Sequence, residues 1–471
     1  MKLTELELEV LREIKPKPEE YELLHRAFNR VREAVARELE RQGIEAEVTV
    51  QGSLAHDTWL SGDRDIDVFV LFPKTTPIEE LRGKYFQVLV NAVASIGEYE
   101  LRYAEHPYVR VHVNGVEADI VPAYKLDSPS EVRTAVDRTP FHTEYVNSKL
   151  TNELRDHVRL LKKFMKSIGV YGAEIRVKGF SGYAVELLVI AYGGFREAIK
   201  EISTWKPPVY INTLGDREKF AEVAKKLREK YPESVVYAPD PVDPMRNTMA
   251  SVSRESLAKI VIAANCYLNN PSREYFVEKA RTAPVAELLR SIRDRCIVLL
   301  ELGIANAIPP DTLWGELYRI ADRVSKVLAN HEFYVLDYSV WSDEKTMAVI
   351  ALEIDSCSKT YPRLYRGPSF WIRGRAMDFI KKHIERNSYG PWISRRGELL
   401  SLSKRKYSNV IDLLIDRTWE YLVAPHFKNA KPLIYALDGE ALTRITSNRE
   451  VHSWITEFIL KRPDWMEKCI D

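Results

Sequence analysis

Gly52-Ser53-Leu54-Ala55-His56-Asp57-Thr58-Trp59-Leu60-Ser61-Gly62-Asp63-Arg64-Asp65-Ile66-Asp67-Val68-Phe69 is the stretch from which the fold of this 471-residue chain is read. In an extended strand residues two apart point the same way, so Asp65 and Asp67 share one face while Ile66, Val68 and Val70 share the other. Two carboxylates held at one edge repel, which raises one pKa unless a cation neutralises them, and hard oxygen donors of this kind suit Mg²⁺. Upstream, Ala46, Val48 and Val50 alternate with Glu45, Glu47 and Thr49, which predicts a half-buried strand running into Gly52-Ser53. A glycine at that point lets backbone approach a ligand, and the amides after it can meet phosphate oxygens. Downstream, a hairpin is predicted from Tyr108 to Val121 around Asn114-Gly115. Its second strand turns Asp119 away from the side of Ala118 and Ile120, so a third carboxylate can complete the site. Alone, Asp-x-Asp reads as a solvent-facing sheet edge. Joined in this order with Gly-Ser and a third strand-borne Asp, it is the donor set that two-metal nucleotidyl transfer requires.

Working outward, residues 19–42 place Leu23, Leu24, Phe28, Val31, Val35 and Leu39 at helical spacing, so the first third is α/β. From 153 to 169 the apolar positions Leu154, Val158, Leu161, Met165 and Ile168 again recur at helical spacing, and 184–202, 216–231 and 253–267 also favour helix. Near the carboxyl end, Glu332–Tyr338 and Thr346–Ile354 flank Trp341-Ser342-Asp343-Glu344, a predicted hairpin beside helices such as Trp371–Arg386. The pattern changes set borders near 150 and 280, dividing the chain into 1–150, 151–280 and 281–471 and giving an α+β multidomain class.

Lysine and arginine total 69 against 68 acidic residues, a formal charge of +1, which excludes a uniformly basic nucleic-acid coat and an acidic tail. Any site for a polyanion must be local. On the helix from 153, Arg155, Arg159, Lys162 and Lys166 form one basic stripe, by itself an ordinary solvated face but beside the head motif a source of cations for a triphosphate. In the last third, Lys359–Arg366 and Arg373–Lys382 are basic and interleaved with Tyr361, Tyr365, Phe370 and Trp371, a composition suited to phosphate contact and stacking as well as to plain surface. The four cysteines, at 266, 296, 357 and 469, form no CxxC pair, so neither disulfides nor a zinc knuckle is expected and a reducing cytoplasm fits. The longest apolar stretch, Ala184–Phe195, contains Glu186 and is shorter than the roughly 20 residues of a membrane helix, so it reads as a core helix. The amino-terminal stretch lacks the apolar centre of a secretory signal, and the expectation is a cytoplasmic protein without a membrane.

Gly52-Ser53, Thr58-Trp59-Leu60, Asp65-Ile66-Asp67 and Glu117-Ala118-Asp119-Ile120-Val121-Pro122 resemble the head domain of the DNA polymerase β nucleotidyltransferase superfamily, specifically the archaeal (class I) CCA-adding enzymes. Ala104-Glu105-His106-Pro107-Tyr108-Val109, Asp137-Arg138-Thr139-Pro140-Phe141-His142, Val170-Tyr171-Gly172-Ala173-Glu174, Lys178-Gly179-Phe180-Ser181-Gly182-Tyr183 and Asp240-Pro241-Val242-Asp243-Pro244-Met245-Arg246-Asn247 are similar to that class in order and spacing. Pro368-Ser369-Phe370-Trp371 resembles its tail more loosely.

The resemblance implies a polymerase-β-like nucleotidyltransferase head of mixed sheet and helices, a mainly helical nucleotide-recognition domain and an α+β RNA-binding tail. The implied activity is template-independent addition of C, C and A to the 3′ end of tRNA from CTP and ATP, with pyrophosphate released. By the same resemblance Asp65, Asp67 and Asp119 are catalytic and hold Mg²⁺, while Gly52, Ser53, His56, His142, Lys162 and Tyr171 contact the nucleotide. Asp243 and Arg246 read the Watson–Crick edges of C and A, the alternative for them being a surface ion pair. His142 and His106, taken alone, are ordinary surface or core histidines, and Tyr171 could equally pack a helix end. His56 departs from the family, which has an arginine or comparable cation there, and a neutral imidazole binds phosphate less strongly. The implied partners are the acceptor and T stems of tRNA and a second copy in a homodimer. The competing readings are a poly(A)- or poly(U)-type RNA 3′-nucleotidyltransferase, a transferase acting on a small substrate, and a catalytically silent RNA binder, whose signature, loss of a carboxylate, is absent.

Overall fold

Strand β2 (Asp65–Pro73) sits inside a mixed sheet, with β1 (Glu47–Gln51) antiparallel on one side and β5 (Val116–Lys125) parallel on the other. Beyond β5 lie β4 (Pro107–Val113) and β3 (Glu98–Tyr103), giving the order β1-β2-β5-β4-β3. This computed structural model describes residues 2–103, 107–278, 282–360, 362–385 and 389–470; His106 and Tyr361, singled out above, lie outside them. The predicted alternation holds on β2, where Ile66, Val68 and Val70 are buried against the helices Pro18–Arg41 and Phe86–Ala94 through Leu24, Val31, Val35 and Leu89. With one face thus committed to the core, slipping the register by one residue would bury Asp65 and Asp67, so the carboxylates are held on the open face. The hairpin turns at Asn114-Gly115, both left-handed with φ of 54° and 76°, the conformation that matches the twist of flanking strands.

The chain divides into two compact units, Met1–Lys279 with Arg462–Asp471, and Ala280–Lys461. In the first, the helix Asn152–Ser167 starts at Thr151, whose hydroxyl accepts from the Leu154 amide, and buries Val158, Leu161 and Met165 beside the helix Gly182–Tyr192. The helical segment expected over 184–202 is broken: Gly193 and Gly194, with φ of 85° and 153°, end one helix, and Phe195–Ile202 forms another. An amino-terminal helix, Glu5–Ile14, not anticipated from its charged composition, is closed by a capping box between Thr4 and Glu7 and buries Val10, Leu11 and Ile14. Residues 462–471 return to this unit, where Trp465 joins its core.

In the second unit the strands Leu433–Ala436, Cys296–Gly303, Met347–Ile354 and Val335–Ser342 form an antiparallel sheet in that order. The predicted hairpin is present with a tighter turn, because Trp341 and Ser342 pair with Val349 and Ala348 as strand residues. The helices Val285–Ile292, Gly439–Ile445 and Arg449–Leu460 supply its core, and the helix Arg373–Glu385 lies beside a smaller sheet of Pro362–Arg366, Leu399–Lys404 and Tyr389–Ile393.

The cysteines overturn the expectation of free thiols. Cys266 pairs with Cys469, 203 residues away, and Cys296 with Cys357, 61 away. Spacing rules detect local motifs, whereas these pairs are made by tertiary structure: the antiparallel register sets Ile354 opposite Cys296, three residues from Cys357. With all four oxidised, cysteine usage no longer argues for a reducing compartment. Among the described residues no helix is long and apolar enough to cross a membrane.

Candidate active site

Parallel pairing of β2 with β5 sets Asp67 directly opposite Asp119, and Asp65 opposite Glu117. The carboxylates therefore share one edge because two period-two strands lie in this register. Burial, then the nearby charges of Asp119 and Asp65, push the Asp67 carboxyl up to about 7. Asp65 reaches solvent at the strand's start, yet desolvation and Asp63 raise its pKa too. Gly52 has a φ of 65°, and a Cβ there would stand 2.2 Å from Asp67 Oδ2. Only glycine allows that approach, and Ser53 follows it in the short helix Gly52–His56. Arg110, paired with Asp119 across β4 and β5, donates to both its oxygens, Nε to Oδ1 at 2.7 Å and Nη2 to Oδ2 at 2.8 Å. Among the described residues no three His, Cys, Asp or Glu side chains already converge on one ion position. The donor set nevertheless fits a hard divalent cation: carboxylates on adjoining strands, one half-buried with its pKa raised, beside a cradle that a Cβ would fill. A cleft of about 420 Å³ opens beside Asp65, lined also by Asp63, Arg64, His112 and Glu117.

The basic stripe is not a solvated face. Arg159 is fully buried and donates to the Trp59 carbonyl at 3.1 Å and to Asp57 and Asp156. Arg155 donates to the His56 carbonyl at 3.0 Å, Lys166 to Asp63 at 3.1 Å, and Lys162 to the Thr58 carbonyl and hydroxyl, both at 3.1 Å. One helix thus ties down the loop that leads into β2. Lys162 is buried, which lowers its pKa against the opposing pull of Glu186 and Asp63.

His56 is buried as well, with Nδ1 3.0 Å from both oxygens of Glu186 and Nε2 3.0 Å from the Thr143 hydroxyl. Both ring nitrogens are committed within the protein. Burial alone would raise Glu186, but His56, Lys162 and the Thr58 hydroxyl, which donates at 2.6 Å, hold it below the usual carboxylate range. Tyr171 lies under Lys166 at 5.5 Å from its ring centre, and burial raises its hydroxyl pKa.

A second cluster forms around Asp240, which is fully buried and accepts from Arg246 Nη1 at 2.9 Å, His142 Nε2 at 2.7 Å, the Tyr183 hydroxyl at 3.1 Å and the Val242 amide at 3.0 Å. Burial opposes ionisation, and His142, the Val242 amide and Arg246 overcome it and lower the pKa. His142 stacks on Tyr183 with ring centres 4.1 Å apart. Asp243 pairs with Arg138 at 3.0 Å, so Asp243 and Arg246 each have a partner other than the other. The helix Thr139–Lys149 supplies His142 to this cluster and Thr143 to His56, and the helix Gly182–Tyr192 supplies Tyr183 and Glu186 in the same way.

Arg110, Glu186 and Asp240 were missed as site residues. Glu186 carried a signal, a lone acid in an apolar run, and Arg110 another, its place in the fourth pair from the hairpin turn. In the second unit, Phe370 and Trp371 are 64% and 70% exposed with rings 4.9 Å apart. Lys359, Arg363 and Arg366 are spent on Asp355, Glu332 and Glu398, whereas Arg373, Arg375 and Lys382 form no ion pair among the described residues.

Three family models match the chain. The nucleotidyltransferase domain matches residues 29–142, the tRNA nucleotidyltransferase second domain 156–277, and the C-terminal domain of CCA-adding enzymes 293–423. A CCA-adding enzyme of Sulfurisphaera tokodaii is 37% identical over 98% of this chain and 100% of its own, and one of Sulfolobus acidocaldarius is 34% identical over 98% and 99%. Among solved structures, a poly(U) polymerase covers 58% of this chain and 98% of its own at 16% identity, with a TM-score of 0.47.

Proposed function

This chain belongs to the archaeal-type CCA-adding enzymes, and we propose that Asp65, Asp67 and Asp119 are the carboxylates with which it adds C, C and A to the 3′ end of tRNA from CTP and ATP. The observation that carries the assignment is the register of β2 on β5, which sets Asp67 beside Asp119 at one edge. These three residues would hold Mg²⁺, which supplies a lowered pKa for the primer hydroxyl and neutralises charge on the α-phosphate and the departing pyrophosphate. Asp65 and Asp67 would serve the metal that also takes the triphosphate, and Asp119 would serve the one that activates the hydroxyl. Gly52 and Ser53 bring backbone amides to the phosphates. The raised pKa of Asp67 supports this reading, since a half-buried carboxyl pushed up to about 7 is a site that a cation completes.

The nucleotide is met from the helical side by Lys162 and Tyr171, and its base by His142, Arg246 and Asp243. His56 acts differently from the arginine the family places there: with both nitrogens bonded to Glu186 and Thr143, it orients the loop and leaves the phosphates to other cations. The division of labour proposed is catalysis in 1–150, nucleotide recognition in 151–280 and tRNA binding in 281–471, where Arg373, Arg375 and Lys382 offer cations beside Phe370 and Trp371 for the acceptor and T stems. A homodimer in the cytoplasm belongs to the same proposal, drawn from the family, and sedimentation returning a single-chain mass would remove it.

The test is extension of tRNA transcripts that end before CCA, with Mg²⁺ and CTP alone, ATP alone or both, Asp65→Ala serving as the blank. Two additions with CTP and a third only once ATP is present are expected. A long homopolymer would move the chain to the poly(A)- or poly(U)-polymerase side of the superfamily, and no extension would leave a silent RNA binder.

A further inference from the structure

Arg110 comes to Asp119 from the neighbouring strand and donates to both of its oxygens, so an ion that coordinates the third carboxylate meets a guanidinium already bonded there. The side chains are only 27% and 21% exposed, which makes the bidentate fork stronger than a screened surface pair. The third guanidinium nitrogen, Nη1, lies 3.1 Å from Glu117 Oε2, two residues back on β5 and on the same face. His112 Nδ1 stands 3.9 Å from the other Glu117 oxygen. Arg110 therefore bridges two carboxylates, one at the metal edge and one beside it.

We propose that Arg110 is a positioning residue that serves as the resident counter-cation of the nucleotide-free site: it occupies Asp119 in place of a divalent ion and releases it to that ion, keeping Glu117 as its remaining partner. The inference rests on the reading of Asp119 as a metal carboxylate. Three observations carry it. Both Asp119 oxygens are bonded to the guanidinium; no three acidic or imidazole groups among the described residues already converge on one ion position; and Glu117 provides a second anchor within reach. Ion binding must then exchange two charge-assisted hydrogen bonds for coordination, and must do so beside a fixed positive charge.

The consequence is a pair of opposite effects. Arg110→Gln removes the competing charge, and Mn²⁺, used as a spectroscopic probe, should bind the nucleotide-free full-length protein about three- to tenfold more tightly by electron paramagnetic resonance titration. Arg110→Lys keeps the charge without the fork and should fall between Gln and wild type. Glu117→Gln takes away the second anchor, binds the guanidinium more firmly to Asp119, and should weaken Mn²⁺ about two- to threefold. Asp119→Asn is the control for the underlying reading and should lose the tight site. If Asp119→Asn weakens Mn²⁺ while Arg110→Gln leaves it unchanged or weakens it, Arg110 is a structural support and the proposal is wrong. If Asp119→Asn itself changes nothing, the metal reading of Asp119 fails and takes the proposal with it. Metal-free thermal melts of each variant separate loss of binding from loss of fold.

Discussion

Asp67 and Asp240 are both carboxylates surrounded by protein in the first unit, and they are treated in opposite ways. Asp240 accepts from a guanidinium, an imidazole, a phenol and a backbone amide, and the sum holds it ionised below its ordinary range. Asp67 has two other carboxylates for neighbours, and burial with their repulsion pushes it up to about 7. A buried charge costs free energy unless it is paired and hydrogen-bonded. At Asp240 the protein supplies every partner, so that residue is scaffold, and what it holds is Arg246, at 39% exposure, and His142, the residues proposed to meet the base. At Asp67 the neighbouring carboxylates are not matched by equal positive charge, and in the proposed function a cation from outside completes the cluster. The contrast separates a residue that positions from one that binds, using satisfaction of the charge as the criterion.

Exchanging the two residues' chemistry gives the largest expected effect. Asp67→Asn should cost on the order of 10³-fold in CMP addition, corresponding to about 4 kcal/mol of lost stabilisation of the reacting phosphate, while leaving the melting temperature of the metal-free protein unchanged or higher. A melting temperature that falls would mean that Asp67 is a structural member, and the contrast would break. Next in size is Arg246→Ala. If Asp240 holds Arg246 out to read the base, the variant should lose about 10- to 100-fold in the choice of CTP and ATP over UTP and GTP, with phosphoryl transfer preserved, measured as single-nucleotide incorporation. Unchanged selection with activity intact would remove the base-reading role. Smaller again is Asp240→Asn, which should cost about 2 kcal/mol of stability by calorimetry, since hydrogen bonds to charged groups are worth about 1.5–3 kcal/mol each and Arg246 can turn to solvent.

The two regions also differ in how far they could be read without coordinates. The faces on which Asp65, Asp67 and Asp119 stand follow from period-two strands and a two-residue turn, both local properties of sequence, whereas the parallel register that sets Asp67 opposite Asp119 is not local. Arg110 follows by counting back from that turn, since Val113 pairs with Val116 and three steps later Arg110 meets Asp119. The Asp240 cluster is gathered from a helix near 142, another near 183 and a loop near 246, so its charge balance exists only after tertiary packing. The same holds for His56, whose commitment to Glu186 spans 130 residues. It holds too for the basic stripe, which by helical spacing is an outer face and in the fold is a clamp on residues 56–63. The disulfides repeat the lesson, because spacing says nothing about cysteines brought together by strand register and a returning chain end.

The gentlest test reads the contrast as a dependence on pH. A carboxyl whose folded pKa lies above its unfolded value of about 3.9 binds more protons in the native state, so stability falls as pH rises between those two values, by at most about 1.4 kcal/mol per unit. For Asp67 the window runs from there up to about 7, and Asp65, also raised, adds in the same direction. Asp240 has the opposite sign: its contribution is fully present above its unfolded value and is lost only as pH drops below it. Across neutral and mildly acidic pH the carboxylate edge should therefore lower the melting temperature of the metal-free protein as pH rises, against the opposite contribution of His157 and His331, whose pKa values burial lowers. Asp67→Asn should flatten that decline, and so should Mg²⁺ added to wild type, because the ion supplies the charge that protonation otherwise removes. A decline no shallower in Asp67→Asn than in wild type would assign the titration elsewhere and leave Asp67 and Asp240 alike in the one property that separates them.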